Sequence, residues 1–322
     1  MHRFCARTRF PLLCGHATRL VPRGFSAAAV SDDFVTAVVD RATRGILGKP
    51  EVEHLRLQTG LGDDAILQKL LPHAKDMALP QASGYQVGAA ALGASGRIYL
   101  GFNLELSGLP PQLCVHAEQA AVYLAVDAGE EKVVTLATSA TPCGHCRQFM
   151  LEMYGAPELR VVCPEQAPAS LKELVPDPFG PHHLDVPAVL LQAHSHKLKL
   201  ARQPQASDTL TTLALAAACR SYAPLGSPAG MALRMRDGTL SDGFAVWSVA
   251  FNPGLTTAGP LQGALVKLIA QGYRDFQEIE AAVLVEQEGE PVAFAEFWSA
   301  ALQKIAPKAQ LDVVYAQCNN DE

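Results

Sequence analysis

Two short stretches carry side chains whose types and spacing suit a metal ion. His116-Ala117-Glu118 sets an imidazole two residues before a carboxylate, and Pro142-Cys143-Gly144-His145-Cys146 sets two thiols three residues apart. At a helix start that spacing puts both cysteines on one face, so two thiolates reach one ion and His116 supplies a third donor from another helix. Imidazole with thiolate favours zinc. Three protein ligands leave the fourth position open to a water that the ion can activate, which is the mark of a catalytic rather than a structural site. Two thiolates cancel the charge of the dication, so it acidifies water less than a three-histidine site does. Helix N-termini at the ligands and Glu118 as proton acceptor make up the difference. A lone Cys-x-x-Cys also describes a closed structural zinc or a redox pair. His145 is a candidate fourth ligand, but its place in the turn points it away from the shared face. Cys114 and Cys163 read as small buried apolar residues.

These residues need elements that bring them together. Ser31-Asp32-Asp33 reads as a helix start followed by an apolar face of Phe34, Val35, Val38 and Val39. A second helix follows Gly62-Asp63-Asp64 with Ile66, Leu67, Leu70 and Leu71. Tyr85 to Leu92 and Arg97 to Asn103 are β-rich runs joined by Gly93-Ala94-Ser95-Gly96, a hairpin. A helix from about Val115 to Asp127, a strand from Val133 to Ser139, a helix from Pro142 to Met153 and a strand from Leu159 to Cys163 complete the order β-β-α-β-α-β. Such alternation builds an α/β layered domain, a sheet covered by helices.

Seven prolines between Cys163 and Asp208 mark a connector, within which Val186 to Gln192 is a candidate strand. The remainder repeats the earlier order of elements at low similarity. Val115-His116-Ala117-Glu118-Gln119-Ala120 can be laid on Gly259 to Ala264, and Pro142 to Cys146 on Pro291 to Ala295, with Leu311 to Tyr315 in the place of Leu159 to Cys163. Every polar ligand is replaced there, which describes a duplicated fold that kept its core and lost its chemistry. The expected divisions are a leader over 1–31, a helical segment over 32–61, a catalytic domain over 62–182, a linker over 183–209 and a degenerate domain over 210–322.

At 322 residues, 49% of them hydrophobic, the chain can fill a core in each of two domains. The charged share of 18% is below the roughly 25% usual for soluble domains, which points to surface buried against another subunit. A net charge of -6 argues against a protein that grips phosphate backbones. No apolar run approaches the roughly 18 to 20 residues that cross a bilayer. Arg3, Arg7, Arg9, Arg19 and Arg23 precede the first acidic residue, Asp32, and Arg23-Gly24-Phe25-Ser26 has the look of an organellar processing site. The location expected is cytoplasmic or mitochondrial or plastid.

H-x-E followed by P-C-x-x-C is the pattern of zinc-dependent base deaminases. From about Asp63 to Gly180 the chain resembles cytidine deaminase, of the long homodimeric kind with a catalytic and a degenerate domain. Tyr85-Gln86-Val87-Gly88-Ala89, Gly101-Phe102-Asn103-Leu104-Glu105, Thr141 to Met150 and Asp177-Pro178-Phe179-Gly180-Pro181 carry the resemblance. In the second half Ala250-Phe251-Asn252-Pro253 and Pro260 to Ala264 extend it. It implies a three-layer α/β/α core, duplicated, with one Zn2+ per catalytic domain held by His116, Cys143 and Cys146, and Glu118 as catalytic proton shuttle. It implies ribose recognition by Asn103 and Glu105, which lie two apart on a strand and face the same way. Ala117 would read the pyrimidine edge, Thr141 would lie by the departing ammonia, and Phe179 would line the pocket. Tyr85 stands where the family usually has Phe, stacked on the base. The function implied is deamination of cytidine and 2′-deoxycytidine in pyrimidine salvage by a homodimer without nucleic-acid or membrane partners. A deaminase of cytosine in RNA or single-stranded DNA, or a non-catalytic zinc scaffold, are the alternatives.

Overall fold

The computed structural model describes residues 32–40, 42, 44–186, 190–201, 208–250, 259–290 and 294–318. The leader, Ser31 and the second-half segments 251–258 and 291–293 lie outside them, as do residues 187–189 of the candidate strand over 186–192, of whose described residues only Leu190 makes a β-bridge, to Met153. Among the described residues no helix is long and apolar enough to cross a membrane.

The first half runs α1 (Asp32–Val39), β1 (Ile46–Leu47), α2 (Lys49–Thr59), α3 (Asp63–Asp76), β2 (Leu79–Pro80), β3 (Gly88–Gly93), β4 (Ile98–Phe102), β5 (Leu104–Glu105), α4 (Ala117–Asp127), β6 (Val133–Thr138), α5 (Gly144–Met150), β7 (Arg160–Val162), β8 (Ala169–Ser170) and α6 (Leu171–Leu174). Six strands form a sheet in the order β1-β4-β3-β6-β7-β8, with β3 antiparallel to β4 and β6, and β6 parallel to β7. Residues alternate across it. Ala90, Leu92, Ile98 and Leu100 face α3, with Leu67, Leu70 and Ala74, while Ala89, Ala91 and Tyr99 face α4, with Ala117, Ala120 and Ala121. Both faces are covered, which gives the three layers expected, and each wholly buried leucine contributes about 1.5–3 kcal/mol. The helices approach closely because strand residues are small: a β-carbon on Gly101 would lie 2.1 Å from the Ala117 carbonyl oxygen.

Helix α2 lies inside the helical segment expected over 32–61 but is not delimited there as a helix of its own, because only Val52 and Leu55 bury an apolar face on it. Its bounds are nonetheless written in Pro50 at its first turn and in Gly60, whose φ of 64 ends it. Strand β3 starts at Gly88 rather than Tyr85, and α4 starts at Ala117 with His116 as its cap rather than at Val115.

The second half contains β9 (Leu198–Leu200), α7 (Thr209–Cys219), β10 (Ala229–Met235), β11 (Leu240–Phe244), α8 (Pro260–Ala270), β12 (Ile279–Gln287), α9 (Ala295–Ile305) and β13 (Gln310–Cys318). Its sheet has the order β11-β10-β12-β13-β9, again two antiparallel pairings followed by a parallel one. Gly88 pairs with Phe102 in the first sheet and Gly230 with Phe244 in the second. A β-carbon on Gly243 would lie 2.1 Å from the Pro260 carbonyl oxygen, as one on Gly101 does from that of Ala117. The two halves are thus in register with His116 on Gly259 and Glu118 on Leu261. This corrects the sequence pairing of Val115 with Gly259 by one residue. The capping glutamines confirm the shift: Gln119 Oε1 accepts the His116 N–H at 2.8 Å, and Gln262 Oε1 accepts the Gly259 N–H at 2.6 Å. Cys143 caps α5 and Phe294 caps α9, so the helix caps match two residues away from the sequence pairing of Cys143 with Val292, which lies outside the described residues.

The halves do not keep wholly separate cores. The largest apolar cluster runs through both, taking in Ala117 and Leu124 from one and Leu233 and Leu265 from the other. Tyr123 stacks on Phe244 with ring centroids 4.6 Å apart. Lys267, nearly buried, bonds Asp127 at 3.0 Å and Asp242 at 2.6 Å, and Arg220 pairs with the same two carboxylates. Glu152, wholly buried just beyond α5, accepts from Tyr222 Oη at 2.9 Å, Ser248 Oγ at 2.7 Å and Val249 N at 3.2 Å, all from the second half.

Candidate active site

His116 and Cys143 occupy the N-caps of α4 and α5, and Cys146 lies in the first turn of α5. The His116 Nδ1 is 3.5 Å from Cys143 Sγ and 3.4 Å from Cys146 Sγ. A zinc ion about 2.3 Å from sulfur and about 2.0 Å from nitrogen in tetrahedral geometry requires a separation of about 3.5 Å, so the three donors fit one ion. They form the one group of potential metal ligands found among the described residues, with donor atoms within 4.8 Å of one another. His145 is exposed and outside that group. Cys146 is buried, His116 intermediate and Cys143 exposed, so the cluster is open on the Cys143 side.

Hydrogen bonds from Cys146 and His116 hold the Cys143 thiol down to about 3, whereas the same bond to Cys143, together with burial, pushes Cys146 up. The hydrogen bond to Cys143 raises His116. Glu118 is 4% exposed on the first turn of α4, and burial pushes its carboxyl above the usual range against a hydrogen bond from Cys146. Arg147 clamps the ligand turn, donating from Nε to the Pro142 carbonyl at 3.0 Å and from Nη1 to that of Leu174 at 3.3 Å.

Beside this cluster Asn103 and Glu105 form a wall of acceptors. Asn103 Oδ1 accepts the Val87 N–H at 2.9 Å, and Nδ2 donates to the Tyr85 carbonyl at 2.9 Å and to Glu105 Oε1 at 3.2 Å. Both amide hydrogens are therefore in use, leaving oxygen lone pairs on Asn103 and Glu105 for a ligand. The same bonds accompany the late start of β3, since the Tyr85 carbonyl and the Val87 N–H are tied to the Asn103 amide side chain. Ala117 is buried, and as first residue of α4 its N–H has no partner within the helix. Thr141 is exposed and accepts from Gln166 Nε2 at 3.1 Å. Tyr85 is 63% exposed. Phe179 is 39% exposed, stacks on His183 at 5.2 Å between centroids, and is held through its carbonyl by Gln148 Nε2 at 2.9 Å. Sequence reading missed Ser83, which grips Glu105; the only signal was a polar turn, Gln81-Ala82-Ser83-Gly84, ahead of a strand.

Two family models, each described as the cytidine and deoxycytidylate deaminase zinc-binding region, match residues 62–163 and 171–297. Among solved structures, the chain is 34% identical to a cytidine deaminase from Mycobacterium tuberculosis over 37% of this chain and 99% of that one, with a TM-score of 0.34. It is 28% identical to a cytidine deaminase from Burkholderia pseudomallei over 37% of this chain and 100% of that one, with a TM-score of 0.33. For a cytidine deaminase from Mycobacterium leprae the identity is 27% over 36% and 100%, with a TM-score of 0.33. Matched by these family models over more than half of its length, in both halves, this chain belongs to the cytidine and deoxycytidylate deaminase family and has zinc as its metal.

Proposed function

We propose that the protein deaminates free cytidine and 2′-deoxycytidine by hydrolysis, yielding uridine or 2′-deoxyuridine and ammonia, as a step of pyrimidine salvage. The observation that carries this is Glu118, a carboxyl nearly sealed from solvent beside an open three-donor metal cluster. When bound, zinc supplies the Lewis acidity that makes water nucleophilic at neutral pH. Glu118 then accepts a proton from the attacking water, passes it to N3 as oxygen bonds to C4, and takes a second proton from the hydroxyl now on C4 and delivers it to the amine, which leaves as ammonia when the C4–N bond breaks and the C4 carbonyl forms. Its raised affinity for protons suits a group that must hold one between these transfers. The orphan N–H of Ala117 supports base-edge recognition, and Thr141, Tyr85 and Phe179 fit the rim.

The acceptor wall of Asn103 and Glu105 favours a sugar hydroxyl, which can donate, over a phosphate, which at neutral pH accepts and repels the carboxylate. Free nucleosides are preferred for that reason to cytosine in RNA or single-stranded DNA. The second half, without ligands, serves a homodimer in which it covers the partner's site; exposed Tyr85, Tyr154, Phe179 and Leu184 on the first half supply apolar surface for it. In this scheme the catalytic domain spans 62–182 and the degenerate one 210–322. Ammonia release across cytidine, 2′-deoxycytidine, their 5′-monophosphates and a cytosine oligonucleotide, with and without chelator, tests the reading. Release from the oligonucleotide in preference to the nucleosides, or from none of them, overturns it.

A further inference from the structure

We propose that Ser83 is a positioning residue for nucleoside binding, aiming the Glu105 carboxylate and fixing the turn that carries Tyr85. The inference rests on the reading above that Glu105 faces the sugar. The Ser83 hydroxyl donates to Glu105 Oε1 at 2.8 Å and its backbone N–H donates to Oε2 at 2.7 Å. One residue thus holds both carboxylate oxygens, and a two-point grip fixes the plane of the group, which a single bond leaves free to turn. The same hydroxyl accepts the Tyr85 N–H at 3.0 Å. Its oxygen therefore joins the sugar-facing carboxylate to the backbone of the aromatic residue expected against the base.

The grip is separable from the fold. Glu105 is anchored through its main chain by the parallel pairing of β5 with β2 and by the Gln81 N–H, which donates to its carbonyl at 3.3 Å. Ser83 itself is exposed, so its hydroxyl fills no core space. What the hydroxyl adds is direction. It also occupies Oε1 together with Asn103 Nδ2, which leaves Oε2, bonded once, as the better acceptor for a substrate hydroxyl. Without it Oε1 keeps only the longer bond from Asn103 Nδ2 and the Tyr85 N–H loses its acceptor, so the carboxylate and the turn are held less tightly and the entropy of refixing them falls on substrate binding.

The test compares Ser83→Ala and Ser83→Thr with the unaltered protein in steady-state deamination of cytidine and 2′-deoxycytidine. Ser83→Ala is expected to raise KM about tenfold, the scale of one lost hydrogen bond, with kcat within about twofold and unchanged zinc content and melting temperature. Ser83→Thr, which keeps a hydroxyl, is expected to restore most of the difference. In a Glu105→Gln background, Ser83→Ala should add little. An unaltered KM in Ser83→Ala, a fall in kcat at constant KM, or loss of folded or zinc-loaded protein overturns the inference, the last by assigning the residue a structural role. If the unaltered protein releases no ammonia from any nucleoside, the reading of the site fails and the inference with it. That outcome is told apart from failure of the Ser83 inference alone, in which the unaltered protein is active and Ser83→Ala behaves like it.

Discussion

A β-carbon placed on Gly259 would lie 1.8 Å from Cζ2 of Trp298. Gly259 is the second-half counterpart of His116, so the space that an imidazole occupies at one helix cap is filled by an indole at the other. Leu261 stands where Glu118 does, and Phe294 caps the helix that Cys143 caps in the first half. The second half is thus closed to the metal by volume as well as by the loss of donors.

One zinc per chain is therefore expected by elemental analysis. Gly259→His should bind no second ion, and should lower stability by about 1–3 kcal/mol or more, because overpacking a fitted interior forces its neighbours from their rotamers. Two zinc ions in the unaltered chain, or a Gly259→His protein as stable as its parent, would contradict this account.

Metal binding and proton transfer should separate by mutation. His116→Ala removes one of three donors and is expected to yield protein with little zinc. Glu118→Gln keeps shape and all three donors, so zinc should be retained while kcat falls roughly 10²–10⁴-fold, the usual contribution of a positioned acid–base group. Metal content and single-substrate kinetics on the two proteins decide whether the roles are distinct.

Burial, set against hydrogen bonds from Ser248 and Tyr222, holds the Glu152 carboxyl above its usual range. The folded state then binds this proton more readily than the unfolded chain. The stability due to this group is greatest below the unfolded value of about 4.3 and is lost as pH rises through the raised folded value. Tyr222, Ser248 and the Val249 N–H face the carboxyl, and His194 packs edge-on against the Tyr222 ring. Glu152→Gln cannot titrate there. Urea melts from pH 7 down to pH 5 should show the unaltered protein gaining stability relative to Glu152→Gln; parallel curves would refute the shift.

The Tyr123 hydroxyl accepts the Phe244 N–H at 2.9 Å from inside the shared core. Tyr123→Phe strands a buried backbone donor and should cost about 1–3 kcal/mol. Because this bond ties one half to the other, denaturation followed through probes in each half should remain a single transition, at a lower midpoint. A midpoint equal to that of the parent would show that the bond contributes nothing.

Sequence alone determined the metal cluster and the central order β-β-α-β-α-β around it. Ligand spacing is local: Cys143 and Cys146 share a helix face whatever surrounds them, His-x-Glu sits at a helix start, and alternating apolar runs dictate the sheet. Weakly patterned pieces stayed hidden for the same reason, as with α2, where only two buried apolar residues mark eleven positions. Low similarity also let the repeat slip by one residue until the close approach of Gly101 and Gly243 to their helices fixed it. Tertiary structure alone decided that the halves share a core through Tyr123, Lys267 and Glu152, that Trp298 fills the second cap, and that Ser83 grips Glu105 across 22 residues of chain. These are contacts between segments distant in sequence, set by packing volume and by which donors burial leaves to be satisfied, and no local spacing encodes either.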